Sequence, residues 1–215
     1  MATTVNKTQK ILDAYKLHVL EHGTKPNSVF KFSKSIKLKE EDFYQHFNSF
    51  KGIEKHIWHS FFQETYEMMT SEEVYQEYSA REKLLSFYFT LAEVLKKNRS
   101  YILEATECPK EKALKKTPEY LSLFKSEFHK WVRNVLMEAK ESEEIKRRQY
   151  LDDFYPKAMW VQCLFVIDFW IRDESVGFEK TDEAIERAVK LSFDLMAETP
   201  LESAFDFGKF LFQSR

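Results

Sequence analysis

Turn residues are scarce in this chain, and their scarcity limits the fold more than any other feature. Four glycines and five prolines are spread over 215 residues, and none of them lies between Ile53 and Cys108. A sheet protein needs many tight reversals, whereas helices joined by short turns need few, so the expectation is an all-α chain. Charged residues make up 32% and interleave with apolar ones, so each helix has a face to bury. A chain this long accommodates one good-sized core or a small domain joined to a larger one.

Several function classes drop out early. Cys108 and Cys163 lack CxxC or Cys/His spacing, so neither a disulfide framework nor a zinc module is expected, and a reducing cytoplasmic setting is the default. The opening MATTVNKTQK has no signal-peptide core, and no later stretch has the roughly 18 uncharged apolar residues of a membrane span, so no membrane insertion is expected. No glycine-rich phosphate loop, nucleophile elbow or acid pair is present, so neither an enzyme nor a cofactor is expected. His18, Glu21 and His22 spell HxxEH, a zinc-peptidase spacing, but no third ligand accompanies them, and His22 before Gly23 suits the negative end of a helix. His56 and His59 with Glu54 have compatible spacing but read as ordinary surface and core residues, and Cys163 reads as a small hydrophobe. No metal site is expected.

Helical periodicity places the elements. Ile11, Leu12, Tyr15, Val19 and Leu20 define a first helix from Thr8 to His22, stopped by Gly23. Asn27 or Ser28 caps a short second helix with Val29, Phe32, Ser33 and Ile36 inward. The segment LKEEDFYQHFNSF (38–50) is a third, and Ile53, Ile57, Trp58, Phe61, Phe62, Tyr66 and Met69 mark a long fourth. Ser71, followed by Glu72 and Glu73, is expected to cap the next helix, carrying Leu84, Phe87, Tyr88, Leu91, Val94 and Leu95, with a further turn at Tyr101–Leu103. Thr117-Pro118-Glu119 reads as a start with proline at the first helical position. The charge-dense run from Glu138 to Arg148 reads as a solvated helix end or connection. Tyr150–Ile171 is apolar on several sides and so must be buried on several sides. Thr181-Asp182-Glu183 caps a later helix that Pro200 ends, and Ser203 with Asp206 suggests a last short helix through Phe210 and Phe212.

The small net charge of −2 conceals an uneven distribution. Residues 1–60 hold ten lysines against six acids, a modestly basic head on an acidic remainder. Lysines near phosphates release condensed counterions, so such a head suits a polyanion.

The first four helices resemble the helix-turn-helix head of the TetR-type repressors, through ILDAY with Gly23 downstream, KFSKSIKLKEEDFYQHF, and FNSFKGIEKHI. Phe32-Ser33 stand at the family's Ile-Ala pair, while Tyr44, His46 and Phe47 reproduce its Tyr-x-His-Phe signature. The stretch FWIRDESVGFEKTDEAIERAVKLSF is similar to the family's paired C-terminal helices. The resemblance implies a DNA-binding head over residues 1–50 and a ligand-binding, dimerising body over 51–215. Double-stranded DNA, an apolar small-molecule or lipid effector and a second copy of the chain are the implied partners. Ser28, Lys39, Glu41, Tyr44, Gln45, His46 and Lys51 are the implied DNA contacts. Phe87, Tyr88, Leu91, Phe124, Phe128, Trp131, Trp160 and Phe165 are the implied effector contacts, although a bulky core is the better account of the aromatics taken one by one. Phe169, Trp170, Val189 and Phe193 are the implied dimer contacts. A lipid- or isoprenoid-binding protein of the same fold, with DNA binding lost, is the alternative.

Departures from the family pattern cluster where DNA contact is implied. Lys37 replaces the turn glycine, Lys39 the small capping residue, Glu41-Asp42 the usual Gly-Thr, and Phe50 the phosphate-binding lysine, with Lys51 one position later. Lys37 must then adopt a β or a strained left-handed backbone, the latter costing about 1 kcal/mol. Three readings of Glu40, Glu41 and Asp42 stand together. They are helix-start acids, with Asp42 paired to His46; or they repel phosphate and DNA binding is lost; or one of them accepts from cytosine N4.

Overall fold

Helices in the computed structural model end where the chain provides stops, and the first stop is Gly23. Its φ is +63°, its N–H donates to Val19 O at 2.8 Å, and this left-handed cap closes helix α1, Ala2–His22. The structure describes residues 2–106, 117–148 and 151–197. Eight more α-helices follow among them: α2 (Val29–Ser35), α3 (Glu40–Tyr44), α4 (Phe50–Thr70), α5 (Ala80–Lys97), α6 (Arg99–Ala105), α7 (Ser122–Glu141), α8 (Tyr155–Arg172) and α9 (Glu179–Met196). No strand occurs among the described residues, so the fold is all-α. No helix among them is long and apolar enough to cross a membrane. Cys108, Pro200 and the expected final helix with Ser203, Asp206, Phe210 and Phe212 lie outside the described residues.

Two compact units emerge. One holds residues up to Glu67 together with Leu91–Glu127; the other holds Met68–Thr90 and the chain from Phe128 onward. Within the first, α6 packs along α1, where Lys16 Nζ donates to Asn98 Oδ1 at 3.2 Å. An aromatic hub forms its head: Phe32 and Phe43 meet edge-on at 6.2 Å, and both meet Phe50, at 5.5 and 5.9 Å. Tyr15 stacks on Phe50 at 5.7 Å, and its hydroxyl donates to Glu54 at 2.7 Å.

The second unit is fastened by charges that periodicity alone does not reveal. Asp173 accepts from the N–H and hydroxyl of both Ser175 and Thr181, at 2.6 to 2.9 Å. Thr181 therefore lies inside the first turn of α9 with Asp173 as its outside cap, and not at the cap position expected from sequence. Burial alone would raise the Asp173 carboxyl, but these hydrogen bonds overcome it and hold the pKa at about 2.

Two more segments, around Ser71 and from Glu138 to Arg148, depart from the sequence expectation. Ser71 donates back to Met68 O; the cap of α5 is Ser79, which exchanges hydrogen bonds with Glu82 in a capping box, because the intervening residues form a 3-10 turn over Glu73–Glu77. The run from Glu138 to Arg148 is more than a solvated connection. Ile145 and Arg148 are buried, and Arg148 donates to Tyr155 Oη and to the carbonyls of Leu195, Met196 and Ala197 at the end of α9. Glu144 accepts from the N–H groups of Ala80 and Arg81. The start at Thr117-Pro118 holds, except that Pro118 precedes a 3-10 turn over Glu119–Leu121 before α7 proper.

Candidate nucleic-acid interface

Ser28 begins this region as the cap of α2, its Oγ accepting from Lys31 N at 3.2 Å. At the other end of α2, Leu38 N–H reaches Ser33 O at 2.9 Å and Lys37 N–H reaches Lys34 O at 3.2 Å, with Lys37 at φ +57°. This is a Schellman turn with a lysine where glycine is favoured, so of the two backbones open to Lys37 the strained one is present. It delivers the chain to Lys39, whose extended backbone opens α3.

Helix α3 is one short turn held by a single core residue. Phe43 is fully buried in the aromatic hub, which fixes the rotation of the turn and leaves Lys39, Glu41, Tyr44 and Gln45 on its exposed side. Asp42 does not pair with His46. Its Oδ1 accepts from Lys7 Nζ on α1 at 3.2 Å, and that ammonium holds the carboxyl below its usual range. His46 Nδ1 instead meets Thr8 Oγ1 at 2.9 Å, because the end of α3 lies against α1. Both contacts fasten this segment to α1.

Ser49 opens α4, its Oγ accepting from Gly52 N at 3.2 Å. Phe50, at the family's lysine position, turns into the hub, so Lys51 on the next position faces out. Lys51 does not stand alone: its Nζ is 3.1 Å from Glu119 Oε2, and Lys55 Nζ is 2.9 Å from Glu119 Oε1.

Phe30, Lys31 and Lys34, not anticipated from sequence, extend the surface. A groove of about 590 Å³ between α2 and α3 is lined by Phe30, Lys34, Lys37, Leu38, Lys39, Glu40 and Glu41. Phe30 is 60% exposed, and Lys31, Lys34 and Lys37 are exposed beside it. The signal for them was present as a lysine at every third or fourth position, but the turn that gathers them is not readable from spacing. His18 and His22 approach to 4.3 Å between ring centroids, yet among the described residues no group of three metal-ligating side chains forms.

The aromatics assigned to an effector fall into both units. In the second unit, Phe87 stacks on Trp131 at 4.4 Å, and Phe128 meets Phe87, Trp131 and Trp160 at 5.4 to 5.7 Å. Tyr88 is fully buried and donates to Gln162 Oε1 at 3.2 Å, while Gln162 donates to Ser192 Oγ at 2.8 Å. Leu91 and Phe124 are buried in the first unit, Phe124 edge-on to Phe62 at 5.4 Å. Phe165 is outside this cluster, 37% exposed on α8. Among the residues assigned to dimer contact, Trp170, Val189 and Phe193 are buried within the protomer and Phe169 is half-buried. Exposed apolar residues on these helices include Val161 and Phe165 one turn apart on α8, with Phe154 just before it, and Leu191 and Leu195 one turn apart on α9.

An all-helical chain with a Schellman-turned helix pair near its N-terminus defines the class. The family model described as "Tetracyclin repressor-like, C-terminal domain" matches residues 83–211, more than half of the chain. The protein belongs to the tetracycline-repressor-like (TetR) family. Comparison with curated proteins finds no match.

Proposed function

We propose that the protein is a homodimeric transcriptional regulator that binds double-stranded DNA through the exposed side of α3 and the lysines around it, and that an apolar small molecule modulates it. The observation that carries this reading is the rigid presentation of α3. Its inner residue Phe43 is fully buried, Asp42 and His46 are tied to α1, and Lys39, Glu41, Tyr44 and Gln45 remain exposed. Ser28, at the start of α2, and Lys51, at the start of α4, flank that side as backbone contacts.

A second copy of the chain is the occupant proposed for the exposed stripes of α8 and α9. Two such helix pairs would form a four-helix bundle and hold two heads about one DNA turn apart. The aromatic cluster of Phe87, Tyr88, Phe128, Trp131 and Trp160 is the proposed effector-sensing core. An effector acts only through a difference in affinity between the DNA-binding and released geometries. The family assignment supports this division of labour. The exposed Glu41 beside the half-buried Glu40 favours one rival, a lipid-binding member whose head no longer holds DNA.

One sample tests both. The purified protein is incubated with DNA from upstream of its own gene at about 100 mM salt, a concentration at which phosphate contacts are still strong. A parallel native mass spectrum reads its mass and bound molecules. A dimer that shifts DNA supports the regulator. A dimer that carries lipid and shifts no DNA supports the rival.

A further inference from the structure

We infer that Lys51 and Lys55 form a paired phosphate site on α4 that Glu119 fills when DNA is absent, so that full engagement of DNA requires displacement of Glu119. The inference rests on the regulator reading above and adds a residue, Lys55, and an internal competitor to it.

Lys51 and Lys55 are one helical turn apart and so project from the same face of α4. They converge on one carboxylate, each taking a different oxygen, at 3.1 and 2.9 Å. A carboxylate offers what a phosphodiester offers: one negative charge on two acceptor oxygens. The two lysines also hold the Glu119 carboxyl below its usual range. All three groups meet solvent, with Lys51 65%, Glu119 57% and Lys55 29% exposed, so each ion pair alone is weak and exchangeable. That weakness suits a competitor.

Glu119 comes from 64 residues or more beyond these lysines in sequence, and packing determines where it sits. Its neighbour Tyr120 stacks on Trp58 of α4 at 5.3 Å and 28°, and Leu121 is 2% exposed. The 3-10 turn carrying Glu119 is thus anchored on α4 below the lysines, at the entrance to α7. A shift of this turn relative to α4 moves the carboxylate away from the lysines, changing the charge presented at the start of α4 without moving α3.

The test compares the full-length protein with its E119Q variant, using a fluorescent mixed-sequence duplex of about 30 base pairs titrated between roughly 50 and 200 mM KCl. Each lysine freed to meet a phosphate adds about 0.9 to the slope of log K against log salt, so E119Q is expected to steepen it by one to two units per engaged head, roughly. Affinity near 100 mM is expected to tighten by about three- to tenfold. Adding K51M and K55M to E119Q is expected to abolish the gain, and E119D to retain the parent behaviour. An E119Q protein that binds DNA with unchanged affinity and slope overturns the inference and leaves the regulator reading standing. If neither protein binds the duplex even at the lowest salt, the regulator reading falls and this inference falls with it.

Discussion

Lys7 of α1 donates to the Asp42 carboxylate of α3 at 3.2 Å, so one of the three acids that open α3 is already neutralised by α1. Glu41, one position earlier, is exposed and lines the groove that also holds Lys37 and Lys39. The two carboxylates should therefore behave differently toward DNA. At roughly 6 Å from a phosphate, a carboxylate is repelled by about 0.7 kcal/mol in water-like dielectric, equivalent to about threefold in affinity. Glu41→Gln is expected to tighten binding to mixed-sequence duplexes by about that factor. Asp42→Asn is expected to give no such gain, because it frees α3 from Lys7 as it removes the charge. Fluorescence anisotropy checks both. Weaker binding by Glu41→Gln on one preferred duplex alone would instead mark Glu41 as a reader of cytosine.

Lys37 occupies a left-handed backbone without being glycine. Lys37→Gly relieves a strain of about 1 kcal/mol and loosens the unfolded chain by a smaller amount, so a net stabilisation of up to about 1 kcal/mol is expected. Urea unfolding of the two proteins measures it. Gly23→Ala is the reverse experiment: the same left-handed region without a favourable residue, and a lower midpoint.

The difference between these residues and others marks how much was legible beforehand. Phe32, Ile53 and Ile57 were readable as inward because helical periodicity fixes a face, and all three are buried. At Lys37 the resemblance left a β and a strained left-handed backbone both open, since a lysine stands where the family has glycine, and the turn takes the left-handed one. Trp170, Val189 and Phe193 were readable as apolar, but whether an apolar residue faces its own core or another molecule depends on how α8 and α9 rotate against each other. Arg148 was unreadable for a related reason: its role comes from carbonyls 47 to 49 residues away that have no sequence signature. The pairing of Lys51 with Glu119, likewise, depends on tertiary placement and not on spacing.

Arg148 closes the end of α9 by donating to the carbonyls of Leu195, Met196 and Ala197 and to the Tyr155 hydroxyl. Arg148→Met keeps much of the stem's packing and removes these donors from a buried position. A loss of about 1 to 3 kcal/mol is expected, since the Leu195 and Ala197 carbonyls lose a charged donor while Met196 O keeps its bond from Lys146 N–H. Thermal unfolding checks it. A loss below about 0.5 kcal/mol would place this residue with ordinary surface substitutions.

Asp173 titrates at about 2 in the folded protein, below the ordinary value for aspartate. A carboxyl with a depressed folded pKa contributes stability that is fully present above its unfolded pKa and is lost as pH falls through the folded value. For Asp173 this window runs from about pH 4, the unfolded value, down to about pH 2. Asp173→Ala also removes the outside cap of α9, typically worth about 1 kcal/mol or more. The variant is expected to be less stable at neutral pH, with the difference narrowing across that acid window. Equal stability of the two proteins at pH 7 would remove Asp173 from the devices that hold α9.

Leu191 and Leu195 are about 60% exposed on α9, whereas Val189 on the same helix is fully buried. A second copy seated on the α8 and α9 stripes predicts opposite outcomes for acids at these positions. Leu195→Glu with Val161→Glu places two charges in the proposed interface and none in the protomer core. It is expected to yield a folded monomer with unchanged helical circular dichroism. Val189→Glu buries an unpaired charge and is expected to unfold the protomer, since such a group costs several kcal/mol without a partner. Sedimentation velocity at micromolar concentration separates the cases. A Leu195→Glu, Val161→Glu protein that still sediments as a dimer would move the interface off this face.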